Sequence, residues 1–203
     1  MPDTFTVLSF AGTGVFAISG ALMGLRQRMD VIGIIFLAGV TGIGGGTLRD
    51  VLLGRVPVGW VEKPAILGTC AACAVLVALL NPILNGRRLA WLLYADAAGL
   101  ALFAVLGTST ALDAGAHPVV AVLFGAMSAS FGGVIRDVIC NEKPILFSDE
   151  IYITAALAAG AVFVLLPEAV PLAWRSWCAM AVGLGLRLAA IGLGWRWPFP
   201  RYP

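Results

Sequence analysis

The sequence predicts an all-α polytopic membrane protein with seven transmembrane helices, built as two inverted three-helix repeats followed by a seventh helix. Three observations predict it. Of the 203 residues, 60% are hydrophobic and only 12% charged, whereas an ordinary soluble domain is about 45–50% apolar and about 25% charged. Seven segments qualify, with soft edges, for the roughly 17–25 apolar residues that carry a helix through a bilayer. The chain also matches itself without gaps at an offset of 87 residues, the distance from Arg49 to Arg136 (136 minus 49).

Composition already excludes several functions. A soluble enzyme, a nucleic-acid-binding domain and a disordered tail all need more polar surface than this chain has. A net charge of +2 is too small for a polyanion binder. The 25 glycines fit a membrane protein, since glycine is more frequent in membrane helices than in soluble ones.

In order, the expected spans run near Phe5–Leu25, Val31–Leu53, Pro64–Leu80, Leu89–Leu112, Pro118–Cys140, Ile151–Leu166 and Pro171–Leu193. Pro57, Pro82, Pro118, Pro144, Pro167 and Pro171 fall at or near their boundaries, where a missing N–H costs least. The start, Met1-Pro2-Asp3-Thr4, lacks the basic region of a signal peptide, so the first span is expected to remain. Cys70 and Cys73 make a CxxC spacing, but among alanines and valines and without a second pair they read as small packing residues. Trp195, Arg196, Trp197 and Phe199 read as an interfacial anchor.

The basic residues set an expected orientation. Arg26, Arg28, Arg87, Arg88, Lys143, Arg196 and Arg201 fall on one side; Arg55, Lys63 and Arg175 fall on the other. The positive-inside rule puts the first group in the cytoplasm. The protein then sits multi-pass in the cell (inner) membrane, N-terminus outside and C-terminus cytoplasmic.

The repeat superposes Gly12, Phe16, Ala17 and Gly20 on Gly99, Phe103, Ala104 and Gly107, and Gly45-Gly46-x-x-Arg49-Asp50-Val51 on Gly132-Gly133-x-x-Arg136-Asp137-Val138. Small residues match by chance in any membrane chain, but a doubled GGxxRDV followed by a proline does not. The expected division is 1–85, 86–168 and 169–203. Three spans per copy is an odd number, so the second copy enters from the opposite side. Such repeats commonly place a solute path at their interface.

The chemistry concentrates in the second and fifth spans. Gly44, Gly45, Gly46, Gly132 and Gly133 cluster in mid-span, where each costs roughly 1 kcal/mol against alanine. They read either as helix breaks lining a path or as close-packing contacts. Arg49, Asp50, Arg136 and Asp137 are the main intramembrane charges, and a charge at the bilayer centre costs at least ~2.5 kcal/mol. They face a cavity or form structural ion pairs. Neighbours on a helix point about 100° apart, so Arg49 and Asp50 are not expected to neutralise each other. By depth, Asp96 should meet Arg136. The repeat-mate of Asp96 is Ser9, which leaves Arg49 as the expected unpaired cation of the path. Thr41 and Ser128, with Ser130 nearby, can offer oxygens to a cation, or each can bond its own helix backbone. Arg187 is expected to snorkel to the inner interface. The faces Gly12–Phe16–Gly20 and Gly99–Phe103–Gly107 offer a close-packed seam, between protomers or within one.

The strings GIGGGTLRDVLLGRVP and SASFGGVIRDVICNEKP, on duplicated three-span units with a seventh helix, resemble the prokaryotic members of the trimeric intracellular cation (TRIC) channel family. The resemblance covers Phe5 to Leu193. It implies a homotrimer with one pore inside each protomer, lined by second and fifth helices kinked at Gly44–Gly46 and Gly132–Gly133. The charged pore positions it implies are Arg49, Asp50, Arg136 and Asp137. The implied activity is passive permeation of monovalent cations, K⁺ and Na⁺. Membrane lipids are the other expected partners; no cofactor, resident metal or nucleic acid is implied. Phe131 stands where the first copy has Gly44. The lysine-bearing motif of the animal members is missing, so a bacterial-type plasma-membrane protein fits better. The alternative function is a secondary transporter of a small amino acid such as glycine, for which an Arg–Asp pair at each break suits a carboxylate and an amine. An intramembrane enzyme finds little support: there is one histidine and no HExxH.

Overall fold

The computed structural model describes residues 4–84 and 86–196. The expected residues Trp197–Phe199 of the interfacial anchor, and Arg201, lie outside the described residues. Among those described, the regular elements are α1 (Thr4–Arg26), α2 (Val31–Leu52), α3 (Gly59–Glu62), α4 (Ala65–Leu79), α5 (Asn81–Leu84), α6 (Arg88–Asp113), α7 (Pro118–Ile139), α8 (Ile153–Leu165) and α9 (Leu172–Leu193), with a 3-10 turn at Ile145–Phe147. All seven expected spans are helical. Five of them (α1, α2, α6, α7 and α9) are long and apolar enough to cross a membrane. The other two, α4 and α8, are apolar but only 15 and 13 residues long.

Large apolar side chains point outward, among them Ile32, Phe36, Leu123 and Trp174, each more than half exposed. Water would penalise that surface, whereas acyl chains accept it. The interior is lined instead by small residues such as Ala17, Ala38, Ala104 and Ala129, which let helix backbones approach closely.

The repeat is written into the backbone. The first two helices of each copy end 87 residues apart, α1 with α6 at Arg26 and Asp113 and α2 with α7 at Leu52 and Ile139. Each first helix closes on a left-handed residue, Arg28 or Gly115, and each second helix on another, Gly54 or Asn141. Helix starts match too. Asp30 Oδ1 accepts from Gly33 N at 2.7 Å, and His117 Nδ1 accepts from Val119 N at 3.4 Å.

The two copies meet through α1 against α6 and α2 against α7, with α4 outside α1 and α2, α8 outside α6 and α7, and α9 against α6 and α8. Contacts across this interface are reciprocal. Gly12 lies under the Phe103 ring and Gly99 under the Phe16 ring. The two rings pack with centroids 5.3 Å apart and planes at 44°. A Cβ on Gly45 would stand 2.0 Å from the Ser128 carbonyl oxygen, and one on Gly132 would stand 2.3 Å from that of Thr41. Paired reciprocal contacts are the mark of a pseudo-two-fold axis.

Two expectations change here. α2 and α7 run as uninterrupted α-helices through Gly44, Gly45, Gly46, Gly132 and Gly133, so these glycines do not break their helices. Gly45 and Gly132 instead let backbone meet backbone, a contact of the Cα–H···O type. The seam of Gly12, Phe16, Gly99 and Phe103 lies within one protomer and is buried there, which removes it as a face between protomers.

These contacts predict a sharp contrast between glycines. Gly45→Ala forces the crossing apart and should cost at least ~1–3 kcal/mol, the range for overpacking. Gly39, with nothing within 4 Å of its Cβ position, should tolerate alanine or gain about 0.5–1 kcal/mol from helix propensity. Thermal unfolding of both variants in detergent checks this.

Candidate functional site

Arg49 and Arg136 each follow the crossing by one helical turn, Gly45 to Arg49 and Gly132 to Arg136. The pseudo-two-fold axis sends one turn toward each end of the bundle. The two guanidinium groups therefore lie on opposite sides of the crossing, in related surroundings with different contents.

Around Arg136 the interior is sealed. The residue is fully buried, and its Nε donates to Asp137 Oδ1 at 2.8 Å while Nη1 donates to Asp96 Oδ1 at 2.8 Å and to Ser19 Oγ. The expected meeting of Asp96 with Arg136 is present. Asp137 Oδ2 also accepts from Ile145 N at 3.3 Å. Tyr152, 2% exposed, closes the cluster from the α8 side. A Cβ on Gly133 would lie 3.2 Å from Asp96 Oδ1 and 3.3 Å from Tyr152 Oη, so that glycine makes room for the carboxylate. Two carboxylates share one guanidinium in a fully buried setting, where a charge survives only if paired and hydrogen-bonded.

Around Arg49 the interior is open. Its Nε and Nη2 donate to Asp50 Oδ1 at 2.9 and 2.7 Å, and Asp50 Oδ2 accepts from Gly59 N at 3.1 Å. The expected unpaired Arg49 is thus corrected. The guanidinium is long enough to fold back along the helix, so adjacent residues meet although their Cα–Cβ bonds diverge. Arg136 and Asp137 do the same. The repeat-mates of Asp96 and Ser19 are Ser9 and Leu106, and both line a cavity of about 790 Å³ together with Arg49, Asp50, Ser109 and Asp113. A smaller recess of about 40 Å³ continues inward past Thr13, Gly42 and Gly46 to the Phe103 ring. Trp60 frames it, donating Nε1–H to Thr47 Oγ1 at 3.1 Å.

Four basic groups (Arg49, Arg55, Lys63, Arg175) and four acidic groups (Asp50, Glu62, Asp113, Glu168) line the large cavity. The open end is polar and balanced in charge, unlike the sealed end.

The hydroxyls divide. Thr41 Oγ1 donates to Leu37 O at 2.6 Å and Ser130 Oγ to Ala126 O at 2.9 Å, both within their own helices. Ser128 Oγ is buried without a hydrogen-bond partner. Arg187 does not snorkel. It is 1% exposed, with Nη2 donating to Glu150 Oε2 at 2.8 Å and Nη1 to Ile151 O at 3.1 Å, and its guanidinium lies 5.1 Å from the Tyr152 ring centroid. An acidic partner on the adjoining loop removed the reason to reach for the interface. Cys70 packs against α2 as a small apolar residue, its Sγ 3.0 Å from the Cβ position of Gly42. Ser19 and Tyr152 were not legible as partners of Arg136. Ser19 carried one signal, a hydroxyl whose repeat-mate Leu106 is apolar.

Comparison with known proteins fits this geometry. A family model described as "Glycine transporter" matches residues 6–82 and again residues 93–168. The UPF0126 inner membrane protein YadS of Escherichia coli (strain K12) is 42% identical over 188 residues, covering 91% of this chain and 90% of that protein. The TRIC trimeric intracellular cation channel orthologue from Rhodobacter sphaeroides superposes with a TM-score of 0.90 at 41% identity, covering 94% of this chain and 98% of that one. This chain belongs to the prokaryotic TRIC family. A crystal structure of a prokaryotic TRIC channel in 0.5 M KCl agrees, with a TM-score of 0.86 at 30% identity over 94% of this chain and 96% of that one. The doubled family match starts at residues 6 and 93, the same offset as the two Arg–Asp pairs.

The contrast between the two pairs yields a stability prediction. Asp96→Asn removes one charged hydrogen bond from the fully buried Arg136, which keeps Asp137 as its counter-ion, and should cost about 1.5–3 kcal/mol. Ser9→Asn, at the related open position, should cost under ~0.5 kcal/mol. Unfolding temperatures of the two variants, measured side by side in detergent, test the difference.

Proposed function

We propose that this TRIC-family member is a passive channel for monovalent cations, K⁺ and Na⁺, with one pathway inside each protomer of a homotrimer. The observation that carries the reading is the cavity that enters the bundle, reaches the intramembrane Arg49–Asp50 pair and narrows at Gly42 and Gly46, in a fold shared with TRIC channels. In this reading all seven apolar helices cross the inner membrane. Residues 1–85 and 86–168 are its inverted copies and 169–203 add the last helix. The N-terminus is outside, which makes the cavity an outer vestibule.

Arginines in a cation path need offsetting. Asp50 neutralises Arg49, and Asp96 with Asp137 outweighs Arg136 by one negative charge. The sealed Arg136 cluster then acts as the inner closure, and conduction requires it to rearrange. Hydroxyls of Ser9, Thr13 and Thr47 line the recess and supply oxygen along the way.

Currents across a planar bilayer under a KCl gradient test the proposal. Unitary steps should reverse near the K⁺ potential. A unit charge about 4 Å from a passing cation in water is worth about 1 kcal/mol, so Arg49→Gln should raise conductance roughly fivefold. An electrically silent protein that takes up glycine saturably into the same liposomes would overturn the channel.

A further inference from the structure

The two-fold relation between the copies makes each guanidinium a control for the other. Arg136 Nη1 donates to two oxygens from outside its own helix, Asp96 Oδ1 on α6 and Ser19 Oγ on α1. The related positions beside Arg49 hold Ser9 on α1 and Leu106 on α6, which are too short or apolar to reach it with an anionic oxygen. Arg49 Nη1 carries no hydrogen bond among the described residues, since Asp50 engages only Nε and Nη2. Ser9, Leu106 and Arg49 all line the large cavity, and Ser9 and Arg49 also line its inner recess. Where the second copy has a carboxylate of its own, the first has open space.

We propose that this space is a binding site for a small carboxylate anion, seated on Nη1 of Arg49 in the place that Asp96 takes against Arg136. A guanidinium offers a carboxylate short charge-assisted hydrogen bonds with defined geometry. The Ser9 hydroxyl supplies a second donor at the wall. Enclosure strengthens the contact: the Arg49 side chain is 13% exposed, against the near-zero exposure of Arg136. The cavity volume of about 790 Å³ lies within the usual range for small-molecule sites, about 300–1,000 Å³. It leaves room for more than a carboxylate, and Asp113 and Glu168 on the same wall suit an amine carried on the same molecule. Binding adds one negative charge beside Arg49 and Asp50, giving the outer site the same excess charge as the Asp96–Arg136–Asp137 cluster. The inference does not rest on cation passage, because occupancy of the site is measured without current.

Calorimetric titration of the purified full-length chain in detergent tests it, with acetate, glycine and glycinamide as probes at constant ionic strength. Acetate and glycine should bind saturably, and glycinamide, which lacks the carboxylate, should not. Tighter binding of glycine than of acetate supports the site and adds recognition of the amine; equal binding supports a site that reads the carboxylate alone. Ser9→Asp supplies the missing carboxylate from within and should weaken both ligands roughly tenfold or more, the factor expected for one charged hydrogen bond. Arg49→Gln should do the same, and either variant serves if the other does not fold. No binding of acetate or glycine overturns the proposal. So does equal binding of glycinamide, competition by chloride at equal strength, or undiminished binding to Ser9→Asp.

Discussion

The carbonyl oxygen of Ser128 occupies the space that a side chain on Gly45 would fill, and the carbonyl oxygen of Thr41 does the same at Gly132. Both Arg–Asp pairs are placed by that crossing. Two helices can approach so closely only where neither carries a Cβ at the contact, and the repeat supplies the second glycine as soon as it supplies the first. Once α2 and α7 are locked at this point, Arg49 and Arg136 stand one turn away on either side. The Phe16–Phe103 pair repeats the arrangement between α1 and α6, with Gly99 and Gly12 beneath the rings. Without water to drive helices together, such close packing carries much of the association.

Duplication gives two equivalent frames, and substitution makes them unequal. One frame filled its surroundings with Asp96, Ser19 and Tyr152 and became a fully buried, charge-dense cluster. The other kept Ser9 and Leu106 and remained a cavity. The same Arg–Asp motif thus lies fully buried on one side and lines a cavity on the other. A single repeated design thus yields an open end and a sealed end.

Arginine's reach decides several details that helix spacing alone misjudges. Both motif arginines fold back to the aspartate that follows them, although adjacent side chains leave a helix about 100° apart. Arg187 turns to Glu150 and to the Ile151 carbonyl instead of extending to the interface. In each case a buried guanidinium takes the nearest oxygen, because an unpaired charge at depth costs more than a bent side chain.

The sequence by itself determined the membrane class, the positions of all seven apolar helices, the duplication and the two Arg–Asp pairs, because hydropathy and repetition are local or periodic properties that need no knowledge of contacts. Depth and register were enough to bring Asp96 to Arg136. Tertiary structure alone decided what the glycines do, since a glycine that breaks a helix and a glycine that admits a neighbour's carbonyl look the same in one dimension. It also decided which arginine faces space and which is sealed. That difference rests on Ser9, Leu106, Ser19 and Tyr152, ordinary residues far apart in the chain, whose meaning appears only when the two-fold axis sets them against the same guanidinium.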